Sequence, residues 1–371
     1  MYSTIDIVWL QDDLRIADNP LLHFASPPSF LLCLYVLDEQ WLYPLFDGES
    51  TPRIGPARLR FLWQSLMELR GELLKRGSDL LVRIGKPSDV VIELASTLNA
   101  RQVRVADHAG VDETAHIQAV QQGLPSQTAL ECIESGRLID RQSLPFECEA
   151  LPASFSCFRR SVEHECTVPV SRCAPVTLPP WPEAARGFPP LKAVCEQSAT
   201  WHPDSRQGYA YRGGESAAHG RLKDYLWRQQ GGETYKKTRN GLLGANFSTR
   251  VSPWLARGCL SARQVNDAVK AWEAENGSNE SSYWITFELL WREYFIRAAQ
   301  LEGEQMFGSR QTDKPCAVFD AWRNGTTGLP FVDAAMLELR HTGWLSNRAR
   351  QNVASFLVKD LKVDWRLGAL W

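Results

Sequence analysis

Two apolar runs of strand length stand near the head of the chain, DIVWL (Asp6–Leu10) and FLLCLYVL (Phe30–Leu37). Runs this short, with no helical repeat, read as buried strands. Residues 57–77 behave otherwise. Leu59, Leu62, Trp63, Leu66, Leu69 and Leu73 recur at spacings of three and four, and Gly77 ends the pattern, so a helix is expected there. LLVRI (Leu80–Ile84), a helix over residues 88–98, QVRVA (Gln102–Ala106), a helix over residues 112–122 and ALECI (Ala129–Ile133) continue the alternation. Strands separated by helices predict a parallel, doubly wound, Rossmann-like α/β domain over residues 1–135. Ligands of such sheets sit at the carboxyl ends of the strands. Neither G-x-G-x-x-G nor a Walker loop is present, which argues against an ordinary dinucleotide or ATP site.

The pattern then breaks. Ten prolines fall between Pro145 and Pro203, and residues 136–206 read as a connector draped over the surface. From Gly213 onward the periodicity is helical. Residues 213–232 read as a helix ended by Gly231 and Gly232. The helix after Ser261 carries Gln264 three residues on, a capping box. Residues 281–300 and 346–361 form two further strong helices. An all-α domain over residues 207–371 is expected.

Composition adds limits. A net charge of −2 means no global basic field, so nucleic-acid binding requires a local patch. There is no long uncharged apolar stretch for a membrane span and no secretion signal at the start. The nine cysteines are scattered without a C-x-x-C pair, which predicts reduced thiols, buried as apolar fillers in a cytoplasmic protein, and no structural zinc. Fourteen tryptophans are many for this length. They serve either a Trp-rich helical core or a site that uses rings for stacking and electron transfer.

Three stretches carry the chemistry. In YWITFELLWREYF, the residues Trp284, Glu288, Trp291, Arg292 and Phe295 fall along one helical stripe. They form either a cavity wall for a planar polar ligand or core aromatics beside a Glu288–Arg292 surface pair. In TGWLSNRARQNVASF, Asn347, Arg350 and Gln351 share a face opposite Val353, Phe356 and Leu357, while Arg348 points elsewhere. That polar face looks at a cavity or at solvent. In the third stretch, Ser248, Thr249 and Ser252 surround Arg250 and Val251 just before Pro253 opens a helix, a phosphate-binding arrangement.

These stretches, with VWLQDDLRIADNPLL, FSCFRRSVEHEC and GGESAAHGRLKDYLW, resemble the photolyase/cryptochrome family from the first strand to the last residue. The DASH-type cryptochromes are the nearest likeness. The resemblance implies an FAD folded inside the helical domain. Tyr235 and Ser248, Thr249, Arg250, Val251 and Ser252 would hold its diphosphate and ribose. Arg292 and Arg350 would flank the isoalloxazine, and Asn347 would sit near flavin N5. Trp284, Glu288 and Trp291 would line a pocket for a flipped pyrimidine dimer, with Arg348, Gln351 and Lys359 toward the DNA. Light-driven electron transfer from reduced FAD would split the dimer, a carbon–carbon lyase reaction of the deoxyribodipyrimidine photolyase type. The substrate implied is single-stranded DNA, with RNA as the alternative, and the protein is expected to be a monomer.

The resemblance also implies an antenna pigment on the first domain, a folate such as 5,10-methenyltetrahydrofolate, held by Asp112 and Glu113. The bland alternative is an acidic helix start, favourable without a ligand. Trp365 matches the middle of three relay tryptophans. The inner one, and a run of further flavin-contacting helices, would lie beyond Trp371. The outer one has no match in the segment from Met306 to Trp322; Trp322 itself fits a different family position. An exposed apolar patch and an opened flavin cavity are expected around Leu370 and Trp371. Three functions stay open: dimer repair, blue-light sensing without repair, and a shortened, inactive family member.

Overall fold

The computed structural model describes residues 3–46, 49–184, 186–306 and 315–371. Part of the segment in which the outer relay tryptophan is expected, residues 307–314, lies outside the described residues.

The chain begins as the apolar alternation predicts: β1 (Ile5–Leu10), β2 (Phe30–Asp38), α1 (Pro56–Lys75), β3 (Leu80–Gly85), α2 (Pro87–Thr97), β4 (Gln102–Ala106), α3 (Val111–Gly123) and β5 (Ala129–Ile133). The five strands are all parallel, in the order β3-β2-β1-β4-β5. Alternate residues serve opposite faces. Val8, Leu31, Cys33 and Leu80 pack toward α1 and the helical half. Ile7, Leu32, Leu34 and Val103 pack beneath α2 and α3. A sheet covered on both sides leaves no polar alternation, which is why its strands read as continuous apolar runs.

The connector differs from the surface strap that its prolines suggest. It contains α4 (Phe155–Glu165), and it buries Leu138, Ile139, Phe155, Phe158, Val162 and Leu178 in the main core. Proline density marks irregular backbone here, and burial is set by the side chains between the prolines. Two short helices follow, α5 (Leu191–Val194) and α6 (Glu196–Thr200).

The second half is helical: α7 (Glu215–Lys223), α8 (Gly231–Thr238), α9 (Ser252–Ala256), α10 (Ala262–Asn276), α11 (Glu280–Glu302), α12 (Ala317–Asn324), α13 (Pro330–Thr342), α14 (Asn347–Ser355) and α15 (Trp365–Leu370). The Ser261–Gln264 capping box forms. Gly231 and Gly232, expected to end a helix, instead open α8. A Cβ on either would run into the Tyr225 or Trp272 ring, so these glycines serve close packing. Helices α12 to α15 enclose a separate core of Phe319, Trp322, Met336, Val353 and Leu357. The loop after β1 plugs the α/β half into the helical half. Arg257 donates to Asp12 at 2.9 Å, Arg15 to the Gly258 carbonyl at 3.0 Å, and Ile16 N–H to Glu215 at 2.8 Å.

The cysteines are not mainly fillers. All nine are free, but only Cys33 and Cys259 are buried. No helix among the described residues is long and apolar enough to cross a membrane, and none of their His, Cys, Asp and Glu groups could hold a metal ion.

Candidate functional site

The stretch from Ser248 to Ser252 is shaped by one buried cation. Arg221 on α7 donates to the carbonyls of Thr249 (3.0 Å), Ser248 (3.0 Å) and Ala245 (2.8 Å). It is a residue that helical periodicity could not single out. Arg250 follows with φ +56°, and Val251 with φ −82° and ψ −3°. A left-handed residue followed by a right-handed one turns successive backbone N–H groups toward one point, an anion-binding nest. Helix α9 is only five residues long, so the anion-binding capacity lies in this nest more than in a helix dipole.

A left-handed arginine costs about 1–2 kcal/mol of backbone strain, so something holds it. Its side chain is 4% exposed. The guanidinium lies 3.7 Å over the Trp344 ring and 4.7 Å from Phe247, and Nη2 donates to the Gly244 carbonyl. Its Nε and Nη1 have no hydrogen-bond partner among the described residues. The same holds for the buried hydroxyl of Tyr211, whose ring lies 6.2 Å from Trp344.

Trp344 leads into α14, capped by Ser346, which accepts from Ala349 N–H at 3.1 Å. Asn347, Arg348, Arg350 and Gln351 are all exposed on this helix. Arg348 donates to Asn240 Oδ1 at 2.7 Å, which joins the start of α14 to the end of α8. Tyr235 is buried on α8; burial pushes its hydroxyl up, and the nearby Glu288 adds to this.

On α11 the expected stripe divides among three neighbours. Glu288 pairs with Arg239, whose guanidinium also lies 4.4 Å over Trp284. Burial pushes the Glu288 carboxyl up, against the pull of Arg239. Arg292 does not pair with Glu288 one turn away; it donates to the Gly136 carbonyl at 2.9 Å. Burial brings Arg292 down to about 10, with Glu293 opposing and Arg137 and Arg15 adding to the shift. Trp291 stacks face to face on Phe155 of the connector, 3.6 Å between centroids at 12°. Phe295, 61% exposed, lies near-parallel to Trp291 at 5.3 Å. A stripe on one helix therefore does not make one cavity wall, because α8 and α4 meet it at different heights.

At the carboxyl ends of β1 and β2 a small pocket is lined by Trp9, Gln11, Asp12, Tyr35, Asp38, Trp41, Asp112, Glu113 and His116. Asp112 faces Arg53 at 3.4 Å, and Glu113 lies 3.7 Å from His108. Carboxylates and rings suit a donor-rich heteroaromatic. The cavity of about 40 Å³ holds a few waters.

Trp365 opens α15 at 39% exposure, with Arg366 5.4 Å over its ring. Leu370 and Trp371 are similarly exposed, although Trp371 meets Trp322 edge-on at 5.7 Å. Trp322 is buried and donates to the Val353 carbonyl at 3.0 Å.

Comparison with known proteins agrees with this architecture. The DNA photolyase family model matches residues 6–182, and the FAD binding domain of DNA photolyase matches residues 284–371. Cryptochrome DASH of Gloeobacter violaceus is 39% identical over 98% of this chain and 74% of its own length. Cryptochrome DASH of Danio rerio is 40% identical over 98% of this chain and 72% of its own. The crystal structure of the Synechocystis sp. PCC6803 cryptochrome superposes with a TM-score of 0.90 at 34% identity, covering all of this chain and 78% of that one. The chain thus spans about three quarters of these relatives' length.

Proposed function

This chain belongs to the photolyase/cryptochrome family, among the DASH cryptochromes, and we propose that it is a light-driven repair flavoprotein that splits cyclobutane pyrimidine dimers in single-stranded DNA. Residues 284–371 match the FAD binding domain of DNA photolyase. The residues present fit that group: a backbone nest at Arg250 and Val251 suits a diphosphate, and the adjoining Ser248, Thr249 and Ser252 offer hydroxyls. Tyr235, buried on α8, would add to that end, and Asn347, Arg350 and Arg292 would attend the ring. Reduced FAD, when bound, supplies under blue light the electron that opens the dimer's two cyclobutane bonds and is afterwards returned.

The observation that carries the proposal is Glu288. Its half-buried carboxylate pairs with Arg239, whose guanidinium lies over the Trp284 ring. A carboxylate there accepts a hydrogen bond from the N3–H on a thymine edge, and Trp284 offers a ring for stacking. Lys236 and Arg239 lie over the Trp284 ring and Arg348 is hydrogen-bonded to Asn240 beside Arg239, and all three suit DNA phosphates. Gln351 lies one turn on from Asn347. No proton shuttle is required of the protein.

A second reading, blue-light sensing without repair, is favoured by one feature. The expected stacking rings are already occupied, Trp291 by Phe155 and Trp284 by Arg239. The deciding experiment loads the chain with FAD, reduces it and exposes it to blue light with a thymine-dimer oligonucleotide, single-stranded or duplex. Loss of dimer in the single strand supports repair. Flavin photoreduction with intact dimer supports sensing.

A further inference from the structure

The nest that suits the diphosphate is made by backbone, yet its shape depends on a side chain that the motif alone presents as one more contact. Arg250 keeps a conformation that favours glycine. A glycine there would be unstrained, and the guanidinium's one hydrogen bond among the described residues goes to the Gly244 carbonyl in its own loop. The guanidinium nevertheless lies 3.7 Å over the ring of Trp344, whose neighbour Leu345 belongs to the second core. Trp344 sits in the turn between α13 and α14, so the second core closes on the nest from outside. Phe247, from the nest's own loop, lies 4.7 Å from the guanidinium with its ring tilted 50° to Trp344. Glu338 on α13 is the nearby carboxyl that feels the Arg250 charge, and it forms no ion pair with it. The cation is thus held chiefly by stacking, which suits arginine's planar and weakly hydrated group.

We infer that Arg250 is a positioning residue for the flavin diphosphate: its guanidinium, clamped on Trp344, holds the nest in its anion-ready shape. This rests on the flavin reading above. The clamp ties the cofactor's phosphate end to the helices after Gly343, so these helices keep the nest shaped even though α9 is too short to do so.

The test compares FAD with riboflavin, which lacks the diphosphate, on the full chain by quenching of flavin fluorescence. The variants are Arg250→Gly, Trp344→Leu and the two combined. Arg250→Gly relieves the strain and leaves the left-handed conformation open. If the side chain had no role, FAD affinity would stay unchanged. The expected result is a rise in the FAD dissociation constant of roughly tenfold or more, equivalent to about 1.4 kcal/mol per factor of ten. Riboflavin affinity should change by less than about twofold, and Trp344→Leu should do the same. The double variant should be no weaker than the worse single one, because both remove one interaction. Arg250→Lys, which keeps charge but not the stacked plane, should fall between native and glycine. It decides the matter if the glycine variant does not fold. Native FAD affinity in Arg250→Gly, equal loss for both ligands, or additive effects in the double variant would each overturn the inference. A native chain that binds FAD no better than riboflavin would overturn the diphosphate reading itself, and that result is visible before any variant is made.

Discussion

Arg239, at the end of α8, donates to the Glu288 carboxylate on α11 while its guanidinium covers the Trp284 ring. The pair joins a charge from one helix to a half-buried acid on another. It stands where the flipped base is proposed to enter. Removing Arg239 withdraws the one cation that pulls the Glu288 carboxyl down. In Arg239→Ala the Glu288 carboxyl therefore titrates at higher pH than in the native chain, read by carbon NMR of the labelled side chain. An unchanged titration would show that the pair does not persist in solution.

Glu288 itself should matter for lesions and not for plain DNA. Glu288→Ala is expected to weaken binding of dimer-containing single strands by about 1.5–3 kcal/mol, one to two orders of magnitude, the usual worth of a hydrogen bond to a charged group. Binding of undamaged strands should stay within about twofold of native. Fluorescence anisotropy on the two oligonucleotides separates these outcomes.

Asp13 carries a pH signature. It is fully buried, its Oδ2 has no hydrogen-bond partner among the described residues, and burial pushes its carboxyl from 3.8 up to about 6, with Gln11 N–H and Arg15 opposing. The folded state then holds the proton more tightly than the unfolded one. This contribution to stability is fully present below about pH 4 and is lost as pH rises to about 6. Asp13→Asn should remove that slope and gain roughly 1–3 kcal/mol at pH 7, since each tenfold change in proton affinity is worth about 1.4 kcal/mol. Urea unfolding at pH 4 and pH 7 tests it; a gain of equal size at both would point to another cause.

Gly258 sits at φ +63° where the loop after β1 crosses the helical half, and a Cβ there would overlap the Asp12 carbonyl. Gly258→Ala is expected to cost about 3–5 kcal/mol, at the severe end for a single substitution. The measurement is the urea midpoint at constant slope.

Phe155 stacks on Trp291 from within the connector, and its truncation tests whether that segment belongs to the core. Phe155→Ala should cost about 3–5 kcal/mol, as for a buried ring. A red shift in tryptophan emission should accompany it as Trp291 gains water. A loss below about 1 kcal/mol would return the connector to the surface.

The alternating domains were legible because their periodicities are strong. All five strands and α1 to α3 appear within a residue or two of the apolar pattern. The Ser261 capping box was equally local. The connector was misread, because proline counts report backbone irregularity while Phe155, Phe158 and Val162 decide burial. Gly231 and Gly232 misled for a related reason: a glycine pair looks the same whether it ends a helix or lets two rings approach the start of one. The cysteines followed no rule that composition could supply.

What the amino-acid order determined by itself is the set of elements, the parallel sheet and the family motifs, since each rests on neighbours within a few turns. The three directions taken by the α11 stripe were decided only by tertiary structure. Glu288 meets Arg239, Trp291 meets Phe155 and Arg292 meets Gly136, partners 49 to 156 residues distant in sequence. The same is true of the left-handed Arg250 and its place on Trp344. Helical spacing says which side chains share a face. What each one touches depends on where other helices cross it, and that is set by packing two cores against one loop.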